Sequence, residues 1–260
     1  MSTSRAVALE ATLRAKRATG RKLLVPYITG GLTGWQDAIR AAAANGADAI
    51  EIGIPFSDPV MDGPVIQQAS QRALDDGATP MSIFDAVADL DVGIPLVAMT
   101  YYNLVFHAGH ERFANALVRA GISGAILPDL PLDESGPWCA AADAAGIETV
   151  MFAAPTAPDE RLPRVCARAR GFVYAVGLLG VTGERDELAA TAMTLARRVK
   201  AVTDLPVLIG VGVSNAAQAA EAVQVADGVI QGASVVRRLM EGGPDLVGDY
   251  VAEVRAAIDS

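Results

Sequence analysis

The chain is poor in the residues on which many enzymes depend. It has only two histidines, His107 and His110, and both lie in the segment FHAGH. Two histidines at this spacing, without a third ligand, do not make a convincing zinc site, and a histidine-dependent catalytic triad is equally disfavoured. We expect both histidines at the surface, where a loop leads into a helix.

Lysine and cysteine are almost as rare. Lys22 opens the first apolar run, and Lys16 and Lys200 fall in predicted helices, so no lysine follows a strand where a Schiff base could form. This placement excludes an imine-forming aldolase. Cys139 and Cys166 match no metal or redox spacing and are expected to be ordinary thiols.

The chain also lacks positive charge and long apolar runs. Its net charge of −9 argues against nucleic acid or an anionic membrane as the main partner. No apolar run reaches the roughly 18 residues of a transmembrane helix. The N-terminal residues alternate charge with alanine and have no apolar signal-peptide core, which predicts a cytoplasmic protein.

What the chain does have is a series of short apolar runs. They are continuously apolar rather than alternating, which is typical of parallel strands that are covered on both faces. The eight predicted strands are 22–28, 47–54, 95–102, 123–130, 148–155, 171–177, 206–212 and 227–233.

Alanine-rich amphipathic segments separate these runs and predict helices. Residues 5–18 predict an extra helix before the first strand, and Ser214 is a plausible N-cap for the last of the connecting helices. Eight strand–helix units in 260 residues predict an α/β fold, a single (β/α)8 TIM barrel over residues 1–260. A doubly wound sheet is the alternative. The connecting helices are predicted at 35–46, 65–76, 80–90, 110–121, 134–146 and 215–226.

A barrel of this kind places its chemistry at the carboxyl ends of the strands and in the loops that follow. Polar and aromatic side chains at those ends are therefore the candidates for substrate binding. They are Tyr27 and Thr29 after the first strand, Tyr101 and Asn103 after the third, Asp129 after the fourth and Tyr174 in the sixth.

The stretch EIGIPFSDPVMDGP, residues 51–64, concentrates acids directly after the second strand. Glu51 lies between two isoleucines, so burial should raise its pKa and suit it to acid–base catalysis. Asp62 begins an Asp-Gly-Pro sequence, which is also common in turns. Asp58 precedes Pro59 and could equally be a turn or helix-capping residue.

Two glycine-rich turns follow the last two strands and each runs into a predicted helix. Glycine allows the backbone to approach a ligand, and a helix N-terminus offers free N–H groups to an anion. This is the usual phosphate position in barrels. The candidates are Gly212 in the seventh turn and Gly232, Ala233 and Ser234 in the eighth, with GVTG at 180–183 as a third loop.

The stretch EIGIPFSDPVMDGPVIQ resembles the signature of the tryptophan synthase alpha subunit family. VPYITGG, MTYYNLVFHAG, LPDLPLDES, VYAVGLLGVTG and IGVGVSN are similar to it as well, in the right order through nearly the whole chain. The resemblance implies a TIM-barrel carbon–carbon lyase that cleaves indole-3-glycerol phosphate to indole and glyceraldehyde 3-phosphate. It implies neither a metal nor an organic cofactor.

The resemblance also implies roles for residues. Glu51 matches the general acid/base, and Asp62 matches the carboxylate that binds the indole N–H. Tyr27 and Tyr174 match aromatic residues of the substrate site. Thr182 and Gly183 match a mobile loop after the sixth strand, and the phosphate cradle matches Gly212, Gly232 and the residues after Gly232.

The chain departs from the family pattern near the phosphate. It has Gly232-Ala233-Ser234 where the family usually has Gly-Ser-Ala, Gln231 where a small or apolar residue is usual, and Gly177 where serine is common. The resemblance favours an alpha subunit that passes indole to a pyridoxal-phosphate beta subunit in an alpha2beta2 complex. A stand-alone lyase that releases indole for secondary metabolism, and a non-catalytic regulator of a beta subunit, are the alternatives. A different phosphosugar enzyme is disfavoured by the lack of a histidine electrophile.

Overall fold

A computed structural model describes residues 6–177, 185–210 and 212–260, and only the backbone of residues 185–190. In this part of the chain eight parallel strands close into a barrel in the order β1 to β8. All eight predicted strands are confirmed, and the doubly wound sheet is wrong. The strands are β1 Leu23–Thr29, β2 Ile50–Gly53, β3 Leu96–Met99, β4 Gly124–Ile126, β5 Glu148–Ala153, β6 Val173–Ala175, β7 Val207–Ile209 and β8 Gly228–Gln231.

The barrel follows from the continuous apolar runs. Every residue of β1 is buried, because one set of side chains faces the interior and the other faces the surrounding helices. The register aligns Tyr27 of β1 with Glu51 of β2, and Phe152 of β5 with Tyr174 of β6. These four side chains therefore lie at the upper, carboxyl end of the barrel.

Helices surround the barrel and alternate with its strands. Most lie where the apolar periodicity predicts them, and the second crossover does contain two helices, α3 and α4. The helices in the described chain are α1 Leu9–Ala18, α2 Trp35–Ala44, α3 Pro64–Asp75, α4 Pro80–Ala88, α5 Tyr102–Ala108, α6 His110–Arg119, α7 Gly136–Ala145, α8 Arg161–Arg168, α9 Arg185–Lys200, α10 Ala216–Ala222 and α11 Ala233–Asp259. Helix α11 breaks at Gly243, whose φ is 74°, immediately before Pro244.

Three details correct the sequence-based expectations. The third strand ends at Met99, and Tyr102 begins helix α5, a segment that was expected to be strand and loop. The N-cap of α10 is Asn215 rather than Ser214, since the Asn215 side chain accepts a hydrogen bond from the N–H of Gln218. His110 is only partly exposed, because its ring stacks on Tyr102 and shares a hydrogen bond with its hydroxyl.

Helix α1 closes the lower end of the barrel. Leu9 and Leu13 are fully buried and pack among the interior side chains of the strands, including Phe172. The backbone N–H groups of Leu9 and Glu10 donate to the two carboxylate oxygens of Glu148, at 2.8 and 2.7 Å. The lower end is thereby sealed, and the open end is the one that carries the carboxyl ends of the strands. In the described residues we find no helix with the length and apolar character needed to span a membrane.

Candidate functional site

A cavity of about 210 Å³ opens at the carboxyl end of the barrel. Carboxylates and tyrosines lie on one part of its wall, glycine-rich backbone on another, and apolar side chains between them. Its lining comprises Tyr27, Glu51, Met61, Asp62, Gly63, Ile66, Met99, Pro128, Phe152, Tyr174, Val176, Gly210, Gly212, Val213, Ser214, Ile230, Gly232, Ala233 and Ser234.

Glu51 projects into this cavity from β2 and is 2% exposed. Its Oε2 atom is buried and has no hydrogen-bond partner among the described residues. Burial and, to a smaller extent, the nearby charge of Asp62 raise the pKa of Glu51 to about 8. Because a carboxyl with this pKa is largely protonated at pH 7, Glu51 is poised to donate a proton.

Asp62 reaches the same cavity from the loop after β2. Partial burial raises its pKa above the ordinary value, while a hydrogen bond from the Tyr101 hydroxyl opposes the rise. The same hydroxyl accepts the backbone N–H of Met61 at 3.1 Å. Tyr101 therefore holds the segment that carries Asp62, and the Tyr101 ring in turn stacks on Phe56 at 5.2 Å.

Two tyrosines complete the acidic part of the cavity. Tyr27 and Tyr174 are 5% and 9% exposed, and burial, with nearby Glu51 and Asp62 adding to it, raises the pKa of both hydroxyls well above the usual value. Both phenols therefore remain protonated hydrogen-bond donors. The ring of Tyr174 stacks on Phe152 at 4.6 Å, which fixes its direction across the barrel.

Each of these tyrosines needs a glycine at the carboxyl end of the neighbouring strand, Gly53 as the last residue of β2 and Gly210 directly after β7. A β-carbon at Gly53 would lie 1.8 Å from the Tyr27 hydroxyl oxygen, and one at Gly210 would lie 2.1 Å from that of Tyr174. Real β-carbons do not approach other atoms so closely. Gly53 and Gly210 thus provide the space into which the two hydroxyl groups extend.

The glycine-rich turns lie on the wall formed by the ends of β7 and β8. Gly212 has a φ of 93°, which favours glycine, and Gly232 immediately precedes helix α11. The N–H groups of Ala233 and Ser234 belong to the first turn of α11, where a helix provides no acceptor of its own. This end of the cavity suits an anion.

The remaining predicted site residues lie outside the cavity lining. Thr29 is fully buried, Asn103 is exposed on α5, and the carboxylate of Asp129 accepts the backbone N–H of Tyr102 at 2.8 Å. Asp129 therefore stabilises the start of α5. Thr182 and Gly183 lie outside the described residues.

Several features of the cavity were missed by reasoning from the sequence. Phe152 and Met61 line it, and Gly53 and Gly210 make room for its tyrosines. The alternation of β5 places Phe152 on the same face as Val150, an interior residue, and that signal could have found it. The two glycines follow from contacts between strands, which one sequence does not reveal.

The described residues contain no group of three or more histidine, cysteine or acidic side chains that is arranged to hold a metal ion. Cys139 and Cys166 are buried and unpaired by disulfide. Lys22 lies at the lower end of the barrel, where its ammonium group donates to the backbone oxygen of Val223 at 2.6 Å.

A closed eight-stranded barrel with acid–base and anion-binding groups at the carboxyl ends of its strands defines the class of (β/α)8-barrel enzymes. The model of one family, the tryptophan synthase alpha chain, matches residues 13–255. The chain therefore belongs to the tryptophan synthase alpha chain family, which places it in tryptophan biosynthesis.

Individual relatives agree with this assignment. The chain is 46% identical to the tryptophan synthase alpha chain of Thermobifida fusca over 263 residues, 96% of this chain and 97% of the relative. It is 45% identical to that of Streptomyces coelicolor over 245 residues, 92% and 90% of the two chains. A chain from a solved structure of Mycobacterium tuberculosis tryptophan synthase is 39% identical, with a TM-score of 0.88, and the match covers 98% of this chain and 99% of that one.

Proposed function

We propose that the chain cleaves indole-3-glycerol phosphate to indole and glyceraldehyde 3-phosphate, as a carbon–carbon lyase that works by a retro-aldol reaction. The observation that carries the proposal is the pair Glu51 and Asp62. One carboxyl is buried in the barrel mouth with a pKa of about 8, and a second, less buried one lies close enough to influence it. The anion-binding backbone of the same cavity supports a phosphorylated substrate.

The cleavage needs an electron sink, and the indole ring itself provides one. Glu51, protonated at neutral pH, donates its proton to indole C3, and the ring becomes an indoleninium cation. The Glu51 carboxylate then takes the proton from the hydroxyl on the adjacent glycerol carbon, so that this carbon becomes an aldehyde. The bond between that carbon and C3 breaks, and its electron pair returns to the ring and neutralises the nitrogen.

Asp62 stabilises the positive charge that protonation of C3 creates on the indole ring. Burial, with a smaller contribution from the charge of Asp62, raises the pKa of Glu51 to about 8, so that Glu51 holds the proton that is delivered to C3. Asp62 is then free to accept a hydrogen bond from the indole N–H and to stabilise the positive nitrogen in the transition state. Tyr101 maintains the loop position that this requires.

The remaining cavity residues bind the two ends of the substrate. Phe152 and Tyr174 provide stacked aromatic surface for the indole, and Tyr27 lies beside Glu51 in the register of the barrel. Backbone N–H groups around Gly212, Gly232, Ala233 and Ser234 receive the phosphate. Because the resemblance places Thr182 and Gly183 in a loop that completes the site, we also propose that they contact the substrate.

We further propose a tryptophan synthase beta chain as the partner of this chain in the cytoplasm. Val60, in the loop after β2, is 74% exposed, and Phe106 of α5 is 67% exposed. Both segments follow strands at their carboxyl ends, beside the cavity. The exposure of these apolar side chains at the carboxyl end of the barrel supports a surface that the beta chain covers, as the family resemblance implies.

One assay tests the reaction and the partnership. Purified chain receives indole-3-glycerol phosphate, and indole is measured with and without a beta chain from a related alpha-beta pair. We expect weak activity alone and a clear increase with the beta chain. High activity that the beta chain leaves unchanged would favour a stand-alone lyase, and the absence of indole in both arms would refute the proposed reaction.

The two carboxylates are tested in the same assay. We expect Glu51→Gln to abolish turnover while substrate still binds, because the proton donor is lost and the shape is kept. Asp62→Asn should lower kcat by about 100-fold, equivalent to about 2.7 kcal/mol of transition-state stabilisation. Near-normal turnover in either variant would remove that residue from the mechanism.

A further inference from the structure

Gln231 is one of the few buried polar side chains on the strands of the barrel. It ends β8, is 1% exposed, and lies directly before the cradle residue Gly232. Because Ile230 belongs to the interior cluster of the barrel, the alternation of the strand turns Gln231 outward, against the surrounding helices. Its amide therefore lies behind the anion-binding end of the cavity, outside its lining.

The amide of Gln231 joins the two glycine-rich loops. Its Oε1 atom accepts two hydrogen bonds. One comes from the hydroxyl of Ser234 at 2.8 Å, and the other comes from the hydroxyl of Tyr250, on α11, at 2.5 Å. The Tyr250 hydroxyl also lies 3.3 Å from the backbone oxygen of Ser214, in the loop after β7. The single proton of the Tyr250 phenol can therefore be shared between the amide oxygen of Gln231 and the backbone oxygen of Ser214, which joins the β8 loop to the β7 loop.

Arg238 supports this connection from the next turn of α11. Its guanidinium lies 3.5 Å from the centre of the Tyr250 ring, and its Nη1 atom donates to the backbone oxygen of Ser234 at 3.0 Å. The first turn of α11 is therefore held by both its side chain and its backbone. A positive charge behind the loop also favours an anion in front of it.

We propose that Gln231 and Tyr250 are positioning residues that fix the two loops at the spacing a phosphate group requires. The inference rests on the proposed function and concerns the same site. With its hydroxyl engaged by Gln231, Ser234 offers the ligand its backbone N–H, and the phosphate is received by backbone groups of both loops. The two side chains act on the ligand only through these loops.

The test separates phosphate binding from indole binding in the full-length chain. Gln231→Leu removes the amide at nearly constant volume, and Tyr250→Phe removes only the hydroxyl and keeps the ring under Arg238. Gln36→Leu and Tyr102→Phe are matched controls, since each loses one side-chain hydrogen bond, to Ala86 and to His110, away from the cavity. Glycerol 3-phosphate and indole are the probes, and calorimetry gives their Kd values.

We expect each site variant to raise the Kd of glycerol 3-phosphate by about fivefold to tenfold, because loops that are no longer joined pay an ordering cost when the ligand binds. Indole affinity should stay within about twofold, and KM should rise with little change in kcat, as expected for the loss of uniform binding. The amide resonances of Gly232 and Ser214 should both shift in the free Tyr250→Phe variant. The controls should leave all these quantities unchanged.

Unchanged glycerol 3-phosphate affinity in folded Tyr250→Phe would overturn the inference, even if Gln231→Leu fails to fold. Equal weakening of both probes would also overturn it, since that result indicates general loss of structure. Wild-type chain that binds glycerol 3-phosphate but forms no indole from indole-3-glycerol phosphate would refute the proposed reaction alone. Wild-type chain that does not bind glycerol 3-phosphate would refute the positioning role.

Discussion

At the scale of single residues, the acid–base behaviour of Glu51 determines how both rate and stability should depend on pH. Burial, reinforced by Asp62, raises its pKa from 4.5 to about 8. We expect kcat/KM to fall about tenfold per pH unit above that value, since the proton donor is lost. A pH–rate profile from pH 6 to 10 measures this limb. A rate that stays constant to pH 10 would contradict the role of Glu51 as the acid.

The raised pKa of Glu51 should also make the free energy of unfolding depend on pH. Since the folded pKa lies above the unfolded one, protonated Glu51 contributes stability that is fully present below about pH 4.5 and is lost as the pH rises through 8. Glu51→Gln, which cannot ionise, should become more stable than wild type by several kcal/mol by pH 8, at about 1.4 kcal/mol per pKa unit. Urea unfolding at pH 5 and pH 8 measures the difference. Glu111→Gln, at an exposed position on α6, is the matched control.

A substitution at Gly210 tests whether the Tyr174 ring needs the space that this glycine leaves. A β-carbon there would lie 2.1 Å from the Tyr174 hydroxyl oxygen and 2.3 Å from Cζ, so Gly210→Ala must displace the ring. We expect a loss of about 1–3 kcal/mol of stability from overpacking, together with a large loss of indole formation. Thermal unfolding and the indole assay measure the two effects. Gly136→Ala is the matched control, because no atom lies within 4 Å of its β-carbon.

At the scale of secondary structure, helix α1 depends on a residue far along the chain. Ala8, which precedes α1, has no polar side chain, and the Glu148 carboxylate accepts the first N–H groups in place of a local cap. We expect Glu148→Ala to lower the free energy of unfolding by about 1–2 kcal/mol, as the loss of an N-cap does. Hydrogen exchange should show faster exchange in α1 first. Glu111→Ala, in the exposed first turn of α6, should change stability by less than about 0.5 kcal/mol.

The difference between local signals and contacts from distant residues explains which elements could be predicted from the sequence. Strands such as β1 are continuous apolar runs, a local signal that is sufficient to locate them. Helix α5 was missed because TYYNLVFHAG also suits a strand followed by a loop. The structure starts the helix at Tyr102 with a carboxylate from Asp129, 27 residues away. Capping contacts between distant residues are absent from local patterns, so the first residues of α1 and α5 could not be predicted.

Within the site, the residues proposed for the chemistry left a clearer signal in the sequence than the residues that position them. Glu51 was predicted because a buried acid between isoleucines has few structural uses, and Asp62 was predicted from its place in the acidic stretch after β2 and from the family resemblance. Tyr101 was predicted to bind substrate, and its hydroxyl also contacts Asp62 and the N–H of Met61, which the sequence did not indicate. That arrangement depends on how the β2 loop folds over the end of β3, which the residue types alone do not specify.

At the scale of the whole molecule, the barrel separates stability from chemistry at its two ends. Asp48, fully buried before β2, pairs with Lys16 at 2.9 Å, Arg21 at 2.8 Å and Arg255 of α11 at 3.1 Å. It also accepts the backbone N–H of Leu24 at 2.9 Å. One carboxylate thus connects the N-terminal helix, the first strand and the C-terminal helix at the end opposite to the cavity.

Asp48→Asn should therefore destabilise the fold and leave the reaction intact. The amide keeps the shape but leaves three cations without their shared counter-charge, and breaking a buried ion pair in this way costs about 3–5 kcal/mol. We expect a clear fall in Tm, with KM for indole-3-glycerol phosphate unchanged at temperatures where the variant is folded. Asp37→Asn breaks a surface pair with Arg40 and should shift stability by less than about 1 kcal/mol. A large change in KM for folded Asp48→Asn would show that the two ends of the barrel are coupled.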